Sequence, residues 1–214
     1  MDALIQRIVD TYAECAPTYD EEVTRFPYYQ TLKNLVFTFD WAGSVLDLGC
    51  GTGLLGQLLH EKGEPFTIMG VDLSPAMTAS PSISKYYETP ITIGTVQDAI
   101  AQPLKVNHVA CFGTLTYLNE NEFLTFLERA LEVAQRSITF DMEDVSEEYR
   151  NKMAEDNTIL PCYNHTKAWK AWKGSRLPAG WRVVYDEYGL QYHDNHETGC
   201  DISDTMVRLE KAGD

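Results

Sequence analysis

Val45-Leu46-Asp47-Leu48-Gly49-Cys50-Gly51-Thr52-Gly53-Leu54-Leu55-Gly56 decides the fold of this 214-residue chain. It starts as a short apolar strand and ends as the first turn of a helix, with a turn that is nearly all glycine between them. Glycine permits positive φ, and without a Cβ it lets a ligand reach the backbone. The N–H groups opening the following helix have no intrahelical partner and face that ligand. A nucleotide-like cofactor suits such a turn.

Gly51-x-Gly53-x-x-Gly56 also fits the dinucleotide fingerprint, so the glycines alone leave the cofactor open. Asp47 narrows the choice. A carboxylate at the strand end repels a pyrophosphate and suits a cofactor that presents an ammonium there. At this point the segment resembles motif I of the class I S-adenosylmethionine (SAM)-dependent methyltransferases, D-x-G-C/S-G-x-G, written here Asp47-Leu48-Gly49-Cys50-Gly51-Thr52-Gly53. The resemblance implies that Asp47 serves the methionine end of SAM. It also implies that Gly49, Cys50, Gly51 and Gly53 let the cofactor approach.

Outward from this turn the chain alternates strand and helix. Apolar, β-branched runs at 44–48, 66–71, 90–96, 106–112 and 137–140 read as strands, and 53–60 and 120–135 read as helices. Ser80-Pro81-Ser82 should break any helix begun at Ser74-Pro75, so helix there should be short. Short buried strands alternating with helices predict a parallel, doubly wound α/β sheet. The resemblance implies the seven-stranded, mostly parallel, Rossmann-like version. One domain is expected over 1–214. It divides into a helical preface or lid (1–43), a SAM-binding core (44–144), a substrate cap after strand five (145–180) and two closing antiparallel strands (181–214).

The other strand ends carry the remaining candidates. Asp72 ends strand two in Gly70-Val71-Asp72-Leu73-Ser74, where a carboxylate can accept hydrogen bonds from both ribose hydroxyls. The stretch resembles the family motif G-x-D-x-S-x-x-M, which implies Leu73 beside the nucleoside and Met77 under the adenine. For Val96-Gln97-Asp98-Ala99 the resemblance implies an adenine contact from Asp98, with the Gln97 or Ala99 backbone nearby; a loop-capping aspartate is the other reading. Phe112 and Gly113 lie where strand four delivers its C-terminal end, the ligand crevice of an open α/β sheet. Thr114 and Tyr117 follow there as candidates for substrate contact. Tyr12-x-x-x-Ala16-x-x-Tyr19-Asp20 resembles the preface of the ubiquinone-methyltransferase-like branch, whose aromatics close over the methionine moiety. Tyr19 is the cofactor candidate; Tyr12, on an amphipathic stripe, reads equally as a core aromatic or a substrate contact.

Composition bounds the partners. A net charge of −15 and a pI near 4.6 argue against a nucleic-acid surface. No apolar run approaches the roughly 20 residues of a membrane span, and Met1-Asp2-Ala3-Leu4 does not open like a secretory signal, so a cytoplasmic location is expected. Five scattered cysteines without CxxC fit reduced thiols. Cys162-x-x-His165 and His193-x-x-His196-x-x-x-Cys200 have ligand-like spacing, but methyl transfer needs no metal and none is expected. His165 and His193 are instead candidates for a general base. Trp169 and Trp172 suggest a partly aromatic or apolar small-molecule substrate, although core packing explains them as well.

The function implied is in-line transfer of the SAM methyl to an O, N, S or C nucleophile of a small molecule, with S-adenosylhomocysteine (SAH) as product. Two alternatives stay open: a SAM-bound cyclisation or rearrangement, and a non-catalytic SAM-binding partner. Oligomeric state and the accepting atom are not legible.

Overall fold

The computed structural model describes residues 3–156, 159–193 and 198–212. Its centre is a seven-stranded sheet in the order β3-β2-β1-β4-β5-β7-β6. The strands are β1 (Gly43–Leu48), β2 (Phe66–Asp72), β3 (Glu88–Ile93), β4 (Val106–Cys111), β5 (Ala134–Val145), β6 (Trp181–His193) and β7 (Asp201–Lys211). The first five run parallel, and β7 inserts antiparallel between β5 and β6. The order reverses direction between β1 and β4, the point at which doubly wound sheets open their ligand crevice.

Helices cover both faces, as a sheet apolar on both sides requires. On one face α8 (Glu120–Val133) packs Phe123, Phe126 and Leu127 against Val109, Ile138 and Phe140. Asn119 and Glu122 close a reciprocal capping box at its start, which satisfies two of the unpaired N-terminal N–H groups. α7 (Val96–Ile100) and α10 (Thr166–Ser175) join that layer. On the other face α3 (Pro27–Thr38) and α4 (Leu54–Lys62) bury Leu32, Leu35, Leu55 and Leu58 over Val45 and Ile68. Arg208 of β7 is buried between the rings of Phe39 and Trp41 and donates to Thr139 Oγ1 and the Asp40 carbonyl. It thereby ties the link before β1 to the far side of the sheet.

Several expected boundaries move. Strand three ends at Ile93, and Val96 opens a helix capped by Thr95. Strand five runs on to Val145 because β7 pairs with it over its whole second half, which a local apolar count does not register. The helix expected to break at Ser80-Pro81 is two short ones, α5 (Pro75–Thr78) and α6 (Pro81–Tyr86), each with proline at its first turn. After β5 come α9 (Glu147–Glu155) and then α10, whose Trp169 and Trp172 sit in the core beneath β5. Within the first 43 residues, α1 (Ala3–Cys15) and α2 (Tyr19–Val23) give side chains to the cavity walls described below, whereas α3 packs its apolar face on the sheet.

Candidate functional site

The glycine turn after β1 is held from below. Gly49 (φ 77°) lies so close to the β4 exit that a Cβ there would stand 1.9 Å from Thr114 Oγ1. Gly51 (φ 51°) donates its N–H to Asp72 Oδ2 at 2.8 Å. Gly56 has a different reason to be glycine. A Cβ there would meet the Tyr87 ring at 2.4 Å, and the Tyr87 hydroxyl accepts from the Gly56 N–H at 3.2 Å. The same hydroxyl donates to Asp47 Oδ2 at 2.6 Å. The third glycine of the fingerprint therefore admits a tyrosine that orients the Asp47 carboxylate.

Two adjoining cavities open at this edge of the sheet. The smaller, about 190 Å³, is walled by Leu4, Ile8, Asp72, Leu73, Met77 and Gln97. Asp72 is fixed at its mouth, because Ser74 N–H donates to Oδ1 at 2.7 Å while Gly51 holds Oδ2. Each oxygen keeps a second lone pair for an incoming hydroxyl. The larger cavity, about 630 Å³, falls within the roughly 300–1,000 Å³ typical of ligand pockets. Asp47, Cys50 and Thr52 line it at one side, and Glu143, Cys162, Gln191 and His193 at the other. Tyr12, Tyr19, Gly49, Gly51, Phe112, Gly113 and Tyr117 border both. Nothing lies within 4 Å of where a Gly113 Cβ would stand, so this bare backbone faces open space at the junction. Tyr12 and Tyr117 meet there through their hydroxyls at 2.8 Å.

Buried acids stand at the site and behind it: Asp47 and Asp72 line the cavities, whereas Asp141 and Asp204 border neither. Burial pushes the Asp47 carboxyl up to about 7, opposed by its Tyr87 hydrogen bond. Asp141 is likewise pushed up to about 7 by burial, despite accepting from Tyr28 Oη at 2.6 Å and Gly113 N–H at 2.8 Å. Asp204 reaches about 8, from burial and then the neighbouring Asp141 and Glu143. Asp72 is also raised by burial, against the backbone N–H groups that hold it. A cationic ligand in the cavities would relieve Asp47 and Asp72, which line them.

Most of the predicted cofactor residues meet at this site; Gly53, Asp98 and Ala99 border neither cavity. Asp98 bonds Thr95 Oγ1 at 2.8 Å on an exposed surface, in the capping arrangement. The position after strand three is a helix start, and helix starts recruit acids. Gln97 is the side that faces the cavity. Gly53, at the N-cap of α4 with φ 94°, supports the turn rather than the wall. Among the substrate candidates Tyr12, Thr114 and Tyr117 reach a cavity wall; Trp169 and Trp172 do not. They stack on each other in the core with centroids 5.7 Å apart. His165 is also a core residue: it stacks on Phe123 at 4.2 Å, its Nε2 lies 3.0 Å from the Leu115 carbonyl, and burial lowers its pKa. A general base must reach the ligand, and His165 is walled off from it. His193 lines the larger cavity at its exposed rim, 2.7 Å from Asp201 Oδ1. His196 lies outside the described residues. Among the described residues no group of three or more His, Cys, Asp or Glu is placed to hold a metal.

Asp141, Glu143 and Gln191 were not anticipated. Phe140-Asp141-Met142-Glu143 did hold a signal, since period two places both acids on one face of a strand. Ending the strand at Phe140 concealed it.

Comparison with known proteins agrees with this geometry. Residues 45–137 match the family described as a methyltransferase domain. YqeM of Bacillus subtilis (strain 168), a methyltransferase by name, is 41% identical over 66 residues, or 31% of this chain; the chain spans 26% of that relative's length. A Haloferax volcanii methyltransferase solved with its Trm112 activator superposes with a TM-score of 0.62 at 16% identity, covering 95% of this chain and 98% of that one. DhpI with SAH gives 0.61 at 14% identity over 100% of both chains. The magnesium protoporphyrin IX methyltransferase ChlM of Synechocystis PCC 6803 with SAH gives 0.58 at 17%, over 86% and 84%. At such identities the structural likeness is one of fold. Together with the strand order it shows that the chain has the fold of these methyltransferases.

Proposed function

We propose that the protein is a SAM-dependent methyltransferase that methylates a small molecule in the cytoplasm. The observation that carries this is Asp72, a carboxylate tied by two backbone N–H groups at the mouth of a cavity floored by Met77. The residues fit the cofactor. Asp72 would take the ribose hydroxyls, Leu73, Met77 and Gln97 the adenine, and Asp47 the methionine ammonium across the glycine turn. Bound there, SAM supplies a methyl group already activated as a sulfonium substituent, and its transfer leaves SAH.

The chain's own contribution is then positioning and exclusion of water. Holding the two reactants in line can remove roughly 7–11 kcal/mol of barrier in well-oriented systems. Tyr12, Tyr19 and Tyr117 border both cavities and would set the angle of approach, with the bare Gly113 backbone leaving room for the acceptor. Helices α1 and α2 roof the junction and shield it from solvent. The nucleophile gives up its proton as the new bond forms; of the two predicted bases only His193 borders the cavity. A net charge of −15 supports a small substrate over a nucleic acid, and no described helix is long and apolar enough to cross a membrane.

Calorimetric titration with SAM, SAH and NAD tests the reading. Saturable binding of SAM and SAH without NAD is expected; binding of NAD alone would overturn it. A metabolite screen for SAH release then identifies the acceptor.

A further inference from the structure

The larger cavity is lopsided in its polar chemistry. On its β5–β6 side stand Glu143 and Gln191, and Gln191 Nε2 donates to Glu143 Oε1 at 3.1 Å. That bond leaves Gln191 Oε1 as an acceptor with no partner among the described residues, on a side chain only 5% exposed. Leaving such an atom unpaired costs about 1–3 kcal/mol, so it marks a place where a donor belongs. Asp204 faces Glu143 across the β5–β7 ladder, and its Oδ2 is also buried without a partner. Among the described residues no lysine or arginine pairs with Asp141, Glu143 or Asp204. Among the described residues the one lysine or arginine that lines the cavity is Arg25, and it is already engaged with Glu21; the His193 imidazole lies 2.7 Å from Asp201 Oδ1. The interior thus offers acceptors and negative charge, and that arginine is engaged outside.

We propose that this side of the cavity receives a basic nitrogen of the substrate as an ammonium, held by Glu143 and Gln191 Oε1. The rings of Tyr12, Tyr117, Tyr149 and Tyr192 line the same cavity and add faces that favour a cation. Phe26, Leu160 and Pro161 supply the apolar surface for the rest of the molecule. The substrate class is therefore an amine with an apolar body. A carboxylate or phosphate would meet Glu143 uncompensated. This proposal rests on the methyltransferase reading and sharpens it.

The test uses the SAH-loaded protein and three probes that share one apolar body: 2-phenylethylamine, 2-phenylethanol and phenylacetate. The amine should bind at least tenfold more tightly than either of the others. Glu143→Gln should erase that preference and weaken the amine at least tenfold, and Gln191→Leu should weaken it at least threefold. Both variants should keep the wild-type affinity for SAH. No saturable amine binding, equal binding of the three probes, or a preference for phenylacetate overturns the proposal. So does a Glu143→Gln variant that loses SAH affinity, since the carboxylate would then serve the cofactor. Failure of the wild-type protein to bind SAH is a separate result and removes the cofactor reading beneath it.

Discussion

At the ends of β1 and β2 the ligand-facing groups come from one run of chain, residues 47–77, and they are mostly backbone and short side chains. On the β5–β6 side the wall is made of Glu143, Gln191 and Tyr192, which come together because β7 pairs with both strands, and of Cys162, held there by Thr116. The first region is local and is organised by glycine dihedrals and strand-end carboxylates. The second is assembled by the sheet from segments far apart in sequence. Burial raises the acids in both regions, but only the first has a partner implied by its motif. A cofactor site can thus be recognised from its turn, whereas an acceptor site has to be recognised from what surrounds it.

The largest effect that would break this contrast concerns the tryptophans. If α10 is core and not substrate wall, Trp169→Ala removes a side chain 1% exposed and should cost about 3–5 kcal/mol of stability. Chemical denaturation reads that loss, and SAH affinity of the remaining folded protein should stay at the wild-type level. A stable Trp169→Ala variant with altered acceptor binding would return the residue to the substrate wall.

Next in size is the pair of strand-end acids. Asp72→Ala should weaken SAM and SAH by roughly 100-fold, since two hydrogen bonds to a carboxylate contribute about 3 kcal/mol together. Asp98→Ala should change affinity less than threefold and cost about 0.5–1 kcal/mol of stability, the size of a lost helix-cap contact. Calorimetry on both variants decides between them. Equal losses would restore Asp98 to the adenine site.

The smallest effect separates the two acid clusters by pH. Asp47 and Asp141 are raised to about 7 and Asp204 to about 8 in the folded protein, above the ordinary carboxyl value near 4. Groups raised in this way favour the fold while protonated, and that contribution is lost as pH rises through their folded pKa. His108, buried and lowered to about 4, has an opposing effect only below the ordinary histidine range. Stability should therefore fall between pH 6.5 and 8.5, as these three carboxyls give up their protons. SAH, whose ammonium stabilises ionised Asp47, should lessen but not abolish the slope, because Asp141 and Asp204 would still face no cation. Thermal denaturation at both pH values, with and without SAH, checks this; a flat or rising profile without ligand would contradict the burial argument.

Much of the cofactor half was legible in the residues themselves. Gly49, Gly51, Asp47 and Asp72 stand at the cavities because strand-end position is a local property, and Met77, which only the family resemblance pointed to, stands there too. Asp98 had two readings, because an acid shortly after a strand suits a ligand or a helix start, and its hydrogen bonds with Thr95 are those of the helix start. His165, Trp169 and Trp172 are of residue types that suit either a pocket or a core, and all three are buried in the core. Nothing in a sequence without a single period shows which way they turn. Asp141 and Glu143 were missed because the strand that holds them exists only through its pairing with β7.

By itself the sequence determined the sheet's first five strands, the glycine turn and the carboxylates at the ends of its first two strands. Those depend on periodicity, on dihedral freedom and on carboxylates at strand ends, all encoded within a few residues of one another. Only the tertiary structure decided which described histidine reaches the cavity, which aromatics face it, and that its far side gathers acceptors with no lysine or arginine among the described residues. Such facts depend on which distant strands become neighbours and on how much water their packing removes. Neither is a property of any short stretch of chain.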